Sequence, residues 1–306
     1  MRKYCFADSA SPARLSEENS PAPTPAKGEV LIRVRAAGII PTEAGWYPTH
    51  YTQTGEKRTG AVPAHEFSGT IAATGEGVGT LEIGREVFGM NDWFSDGALA
   101  EYCAAPYFAM VPAPAGLNAA EAASVPISAL TALQGFDRAK LAGGERVLVH
   151  GGAGGVGSFA IQFAKLRKAR VITTASARNR DFLLDLGADE VIDYRASRFE
   201  DRATDVDVVF DTVGGETRDR SWRVLKPGGR MVTVASDAEK SSDERVRKAF
   251  FIVEPNQRQL YEIACLLETG RLRTVVRAVL PFAQAPDAYS GELTNQGRGK
   301  IVVSVE

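Results

Sequence analysis

In GEVLIRVRAAGI, residues 28–39, Val30, Ile32 and Val34 alternate with residues expected to face solvent, a period of two that predicts a half-buried β-strand. SGTIAATGEGVG and REVFGM continue the pattern as short strands broken by glycine. A Pro-rich loop runs from Ser20 to Pro25, and no long helical periodicity occurs before about residue 118. The pattern changes at LNAAEAASVPISALTALQGF, whose Ala and Leu content predicts two helical pieces around Pro126 and the start of a new domain. From Glu145 the chain alternates: strand RVLVH, a glycine turn, helix VGSFAIQFAKLRK, strand RVITTA, helix NRDFLLDLGA and strand EVIDY. DVDVVFDTVGG, helix ETRDRSWRVL and strand GRMVTVAS follow. Such alternation predicts an α/β, doubly wound parallel sheet. Val156, Phe159, Phe163 and Leu166 put one apolar stripe on its first helix, and Gly187 stands where a left-handed helix cap is wanted. After about residue 255 come helix NQRQLYEIACLLETG and strand KIVVSV, read as additions to the first domain because the parallel sheet is already complete. The expected division is a β-rich domain over 1–118, a parallel-sheet domain over 119–255 and a return to the first over 256–306. No internal repeat or low-complexity tract is found.

A length of 306 residues agrees with two domains, expected to share a cleft. Charge is nearly balanced, 36 Lys and Arg against 38 Asp and Glu, so no global field favours nucleic acid or an anionic membrane. No uninterrupted apolar run approaches the ~20 residues that span a bilayer, and Met1-Arg2-Lys3-Tyr4 leads into polar residues rather than a signal-peptide core. Cys5, Cys103 and Cys265 are too scattered for a disulfide framework or a Cys-x-x-Cys knuckle. A cytoplasmic location is expected.

The chemistry starts at the glycine turn. VLVHGGAGGVGSFAIQFAK follows a strand and opens a helix, with Gly152, Gly154 and Gly157 spaced Gly-x-Gly-x-x-Gly. A pyrophosphate needs backbone N–H groups aimed at it from a helix N-terminus, and glycine removes the side chains that would hold it away. The turn from Gly152 through Ala153, Gly154, Gly155 and Val156 to Gly157 is thus a dinucleotide site in expectation. At the end of the next strand, where NAD binders carry a carboxylate, TTASARNRD offers Ala175 and Ser176, with Arg178 and Arg180 beyond. A hydroxyl and two cations suit a 2′-phosphate and favour NADPH over NADH. Either arginine could instead be solvated, and Asp181 would oppose the assignment if it turned inward.

GEVLIRVRAAGI, AHEFSGTIAATGEGV, REVFG, GALAEY, ALTALQ, HGGAGGVG, LGADEVIDY, VFDTVGG, LKPGGRMVTV and GKIVVSV together resemble the medium-chain dehydrogenase/reductase superfamily, and within it the zinc-independent quinone oxidoreductase and enoyl reductase branch. The resemblance runs nearly end to end. It implies a GroES-like β-rich catalytic domain built from both ends of the chain, a Rossmann domain between, and a homodimer. It also bears on PAHEFSG, residues 63–69, where His65 beside Glu66 has the look of a metal ligand. Zinc members place Cys where GIIPTE has Ile40, and a second where VPISALTAL has Ile127; the four-cysteine structural lobe is absent. Two isoleucines coordinate nothing, so His65 reads as a structural imidazole, hydrogen-bonded within the cleft floor, and no metal is expected.

Without a Lewis acid, a simple alcohol or aldehyde oxygen is poorly activated, whereas hydride addition to a quinone or an α,β-unsaturated carbonyl yields a delocalised anion that hydrogen bonds can stabilise. The expected reaction is NADPH-dependent reduction of such an acceptor. An enoyl-thioester reductase and a non-catalytic NADPH-binding protein are the competing readings. Candidate proton donors are Tyr47, then Tyr51, with Thr42 retaining the hydroxyl that follows the ligand position in zinc relatives; both tyrosines could equally only wall the pocket. The resemblance further implies that Thr131 opens a helix on the nicotinamide side and that Tyr194 approaches the 2′-phosphate. Val234, Ala235 and Ser236 would end the fifth strand, and Phe251 and Val253 of FFIVEP would face the carboxamide or sit in the core. Lys300 of GKIV would close near the cofactor or lie on the surface.

Overall fold

A computed structural model describes residues 1–7, 14–79, 81–291, 293 and 297–306. Its contacts separate two units, 1–127 with 254–306, and 128–253. In the first, β1 (Arg2–Phe6) and β2 (Leu15–Asn19) pair antiparallel. β3 (Glu29–Ile39) buries Val30, Ile32 and Val34 and exposes Arg33, as its period of two predicts. Beyond Arg35, the strand is buried on both faces. A 3-10 turn (Pro41–Gly45) and the one-turn helix α1 (Tyr47–His50) lead to β4 (Glu66–Thr74), β5 (Glu86–Met90), β6 (Tyr102–Pro106) and β7 (Met110–Pro112). Next, α2 (Ala119–Ala123) starts at a capping box in which Asn118 and Glu121 satisfy each other's amides. It packs on β3 and β4. The sequence-based boundary at residue 119 and the change of unit at 128 differ by this helix.

Pro126 opens α3 (Pro126–Ala139), where its missing N–H costs no helical bond. In the second unit come β8 (Arg146–His150), α4 (Gly155–Leu166), β9 (Arg170–Ala175), α5 (Arg180–Asp185), β10 (Glu190–Asp193) and β11 (Val206–Asp211). They are followed by α6 (Gly215–Ser221), β12 (Leu225–Thr233) and α7 (Glu244–Ala249). The strands lie in the order β10-β9-β8-β11-β12, all parallel. Strand order therefore reverses between β8 and β11, the kind of switch point at which the connections leave toward opposite faces and such sheets bind their ligands. Leu148, Ile172, Ile192, Val209 and Phe199 fill one face of the sheet; burying each such side chain contributes about 1.5–3 kcal/mol. The expectation of a single stripe on α4 is corrected: Gly157 through Ala164 are all buried, while Val156 and Leu166 are only half-buried. Ala160, Ile161 and Ala164 are buried together with the polar Ser158 and Gln162, so burial runs round the helix instead of along one stripe. Gly187 takes its positive φ of 108° just after α5.

The chain then adds α8 (Gln257–Glu268), β13 (Val276–Pro281), α9 (Ala285–Tyr289) and β14 (Lys300–Ser304) to the first unit. β14 pairs antiparallel with β3, Ile301 opposite Ile39 and Val303 opposite Ala37. Among the described residues this gives a sheet ordered β13-β14-β3-β4-β5-β7, with β6 on the free stretch of β3. Ile32, Phe67, Ile71, Leu99 and Val303 centre its core. No helix of the described residues is long and apolar enough to cross a membrane.

Candidate functional site

His65 and Glu66 are neighbours in sequence but not partners. Successive side chains in extended chain point to opposite sides, and these two diverge accordingly. His65 Nδ1 lies 2.9 Å from Glu43 Oε2 and Nε2 lies 3.2 Å from the Ser95 carbonyl oxygen. Its ring packs against Trp93 at 5.2 Å, and Trp93 meets Trp46 edge-on at 5.1 Å. Glu66 instead pairs with Lys300 and accepts the Ile127 amide at 2.8 Å. Burial pushes the Glu66 carboxyl up, and the Lys300 ammonium and the Ile127 amide only partly offset it. The residue pair that looked like one ligand set thus belongs to two separate networks. A zinc ion does not fit this donor set. Both nitrogens of His65 and both oxygens of Glu66 are engaged, and no three ligating side chains converge among the described residues.

The expected proton donors lie close by in sequence. Thr42 is exposed in the 3-10 turn. Tyr47 opens α1 and Tyr51 caps it, so the two come one turn apart and stack at 4.9 Å with their planes 19° apart. They are 44% and 40% exposed. Phe94 meets Tyr47 edge-on at 6.5 Å. Sequence reasoning missed Glu43 and Tyr289. Glu43 is buried, and its Oε1 accepts from the Tyr289 hydroxyl at 2.5 Å and the Ala64 amide at 3.0 Å. Burial, followed by the Glu43 carboxylate, raises the Tyr289 phenol well above its ordinary value. A carboxylate in GIIPTE was a visible signal for Glu43; nothing local marked Tyr289.

In the parallel-sheet unit, the expected cofactor residues gather along the carboxyl edge. Gly151 to Gly154 form the turn after β8, and Gly154 caps α4 without any side-chain hydrogen bond, which leaves the amides of its first turn open to an anion. A Cβ on Gly157 would fall well inside contact distance of the Gly151 carbonyl and 2.8 Å from Gly152 Cα, so this glycine lets the helix meet the turn. Ala153 is buried; Gly155 and Val156 are half-buried in the first helical turn. Ser176 follows β9 and receives the Asn179 amide at 3.2 Å; Arg178 is exposed, and Arg180 donates to the Val191 carbonyl at 3.2 Å. Because β9 and β10 pair in register through Ala175 and Asp193, Tyr194 reaches the same edge, 56% exposed, with its amide on the Ala175 carbonyl at 3.3 Å. Asp181 is exposed in the first turn of α5.

Val234, Ala235 and Ser236 follow β12 at that edge. Phe251 and Val253 are buried, and the Phe251 amide donates to the Thr233 carbonyl at 3.3 Å while Arg138 sits over its ring at 5.1 Å. Thr131 does not open its helix: α3 begins at Pro126, so Thr131 is buried in mid-helix. Lys300 belongs to the β-rich unit, buried against Glu66 rather than on the surface. Two further residues shape the switch point. Asp211 accepts the amides of Val213 and Gly214 and the Thr233 hydroxyl at 2.7 Å. His150, buried at the end of β8, bridges the Thr174 and Ser221 hydroxyls at 3.0 and 2.8 Å. The residues that fit a phosphate-bearing dinucleotide are therefore together in one unit.

A GroES-like β unit joined to a doubly wound parallel unit defines a two-domain dinucleotide-dependent oxidoreductase, and comparison with known proteins agrees. Residues 26–115 match the alcohol dehydrogenase GroES-like domain and residues 186–303 the zinc-binding dehydrogenase family. The 2-methylene-furan-3-one reductase of Solanum lycopersicum is 32% identical over 99% of this chain and 79% of its own length. The chloroplastic NADPH-dependent alkenal/one oxidoreductase of Arabidopsis thaliana gives the same figures. The quinone oxidoreductase of Coxiella burnetii superposes with a TM-score of 0.90 at 30% identity, covering 100% of this chain and 99% of that one. The chain belongs to the medium-chain dehydrogenase/reductase superfamily, among the quinone and alkenal oxidoreductases.

Proposed function

We propose that this protein is an NADPH-dependent oxidoreductase that reduces a quinone or an α,β-unsaturated carbonyl without zinc. The observation that carries the reading is the donor set around His65, whose nitrogens are committed to Glu43 and Ser95 while Ile40 and Ile127 stand at the positions where zinc relatives have cysteine. An acceptor that stabilises its own negative charge is what such a site can reduce. NADPH, when bound, supplies the hydride. The turn from Gly152 to Gly157 binds the pyrophosphate at the N-terminus of α4, and Ser176, Arg178, Arg180 and Tyr194 hold the 2′-phosphate. Thr131, Ala235, Phe251 and their neighbours Val234, Ser236 and Val253 orient the nicotinamide. Tyr47 donates the proton that follows hydride transfer, with Tyr51 stacked beneath it and Thr42 nearby.

The same reading makes the unit of residues 1–127 and 254–306 the catalytic domain and that of 128–253 the cofactor domain, and takes the working form to be a homodimer. A reducing, cytoplasmic setting suits thiols such as Cys103, which burial pushes up to about 12 and so keeps inert. The test is NADPH and NADH oxidation with quinones, enones, simple aldehydes and crotonyl thioesters, all with chelator present. Chelator-resistant NADPH oxidation by quinones or enones is expected. Activity confined to aldehydes and abolished by chelator would refute the reading, and a strong preference for the thioester would move the protein to enoyl-thioester reduction.

A further inference from the structure

A carboxylate as deeply buried as Glu43 is tolerated only when donors meet it. Oε1 has two, the Ala64 amide and the Tyr289 hydroxyl, and Oε2 has His65 Nδ1. The other ring nitrogen of His65 faces the Ser95 carbonyl. Both nitrogens therefore point at oxygens that accept. Ala64 completes the set at a cost: its φ of 68° is left-handed and unfavourable for a residue with a Cβ, yet it turns the amide onto Glu43 while its carbonyl accepts from Ala98 at 2.6 Å. Apolar side chains would fill this space without charge.

What the carboxylate residue holds is the segment 41–51. The Glu43 carbonyl accepts the Trp46 amide at 3.0 Å and the Thr49 hydroxyl at 2.6 Å, and Arg58 fixes the far side through the Pro48 carbonyl at 2.7 Å. Tyr47 stands between these fixed points, and Tyr51 follows one turn on, stacked on it. We propose that Glu43, His65 and Tyr289 are positioning residues: a buried clamp that sets the 41–51 segment and thereby the stacked Tyr47 and Tyr51 face that meets a planar conjugated acceptor. The proposal rests on the reductase reading above. Tyr289 does not touch the acceptor; it acts through Glu43.

Three variants test it. Tyr289→Phe removes one hydroxyl and keeps the ring, and Glu43→Ala removes the clamp. Glu43→Gln rebuilds the clamp without charge, because its oxygen can accept from Tyr289 and Ala64 while its amide donates to Nδ1 of a neutral His65. The measurements are acceptor kcat and KM, NADPH Kd, and amide hydrogen exchange over 41–51. In Tyr289→Phe and Glu43→Ala, acceptor kcat/KM should fall at least tenfold and exchange at Trp46 and Thr49 should accelerate, with NADPH Kd within twofold of wild type. Glu43→Gln should recover kcat/KM to within threefold. Unchanged acceptor kinetics in Tyr289→Phe would reduce the network to a stability element and overturn the proposal. Glu43→Gln as impaired as Glu43→Ala would also overturn it, in favour of the charge itself. If wild type reduces no acceptor, the reductase reading is what fails; unchanged exchange over 41–51 in Tyr289→Phe then overturns the clamp independently.

Discussion

Acidification should unlock the parallel-sheet unit through His150. Ser221 Oγ donates to the Thr217 carbonyl at 2.7 Å, so it is free to accept, and it does so from Nε2–H of His150. Nδ1 then carries the lone pair and receives the Thr174 hydroxyl. Burial drives this imidazole from its ordinary 6.5 to about 4; Asp211 opposes the shift, Arg220 adds to it, and Glu200 opposes it. The sign follows from which state binds the proton first. The unfolded chain protonates as the pH falls through 6.5 while the folded chain stays neutral to about 4. The stabilisation is therefore complete above 6.5 and is lost across that window. The two values correspond to about 3 kcal/mol. That is a large share of the roughly 5–15 kcal/mol by which a domain is stable. His150 directly precedes the glycine turn proposed to bind the pyrophosphate, and its carbonyl accepts the Thr212 hydroxyl at 2.8 Å, so loosening here should release NADPH as well. The assay is urea unfolding from pH 7.5 to 4 in a Trp46→Phe/Trp93→Phe background. Trp222 then reports the unit that contains it, with and without His150→Gln. Wild type should lose about 3 kcal/mol more than the variant toward pH 4, and in NMR the His150 resonance should not titrate above about pH 5. Parallel pH curves, or titration of His150 near 6.5, would refute the reasoning.

Gly157→Ala drives a methyl group into the Gly151 carbonyl, and overpacking of this kind costs about 1–3 kcal/mol; calorimetry should show NADPH Kd at least tenfold weaker, and an unchanged Kd would mean that the turn does not bind the pyrophosphate. Ser176→Asp restores the carboxylate of NAD binders, so KM should rise more than tenfold for NADPH and little for NADH; a constant ratio between the two would remove Ser176 from the 2′-phosphate site. Tyr47→Phe should lower kcat about 100-fold at neutral pH, the usual scale of a lost general acid. Unchanged turnover at every pH would end its candidacy as the proton donor.

The sequence by itself determined what short-range periodicity and spacing encode. The period of two in β3 gave its buried face, the alternation from β8 to β12 gave a parallel sheet, and the glycines after His150 gave the tight turn that opens α4. Each feature depends on residues within a few positions of one another, where backbone geometry leaves few choices. α4 shows the limit of that logic. Its apolar periodicity predicted one stripe, but its small residues let the surroundings close over every face, and only packing decides that. The polar partners lay further out of reach. His65 was paired on paper with adjacent Glu66, yet it meets Glu43, 22 residues away, while Tyr289 reaches Glu43 across 246 residues. Lys300, read as a surface or cofactor residue, is buried against Glu66 because β14 returns to β3 beside β4. A buried charge is placed by whichever donors the finished fold brings to it, and chain separation carries no trace of that choice.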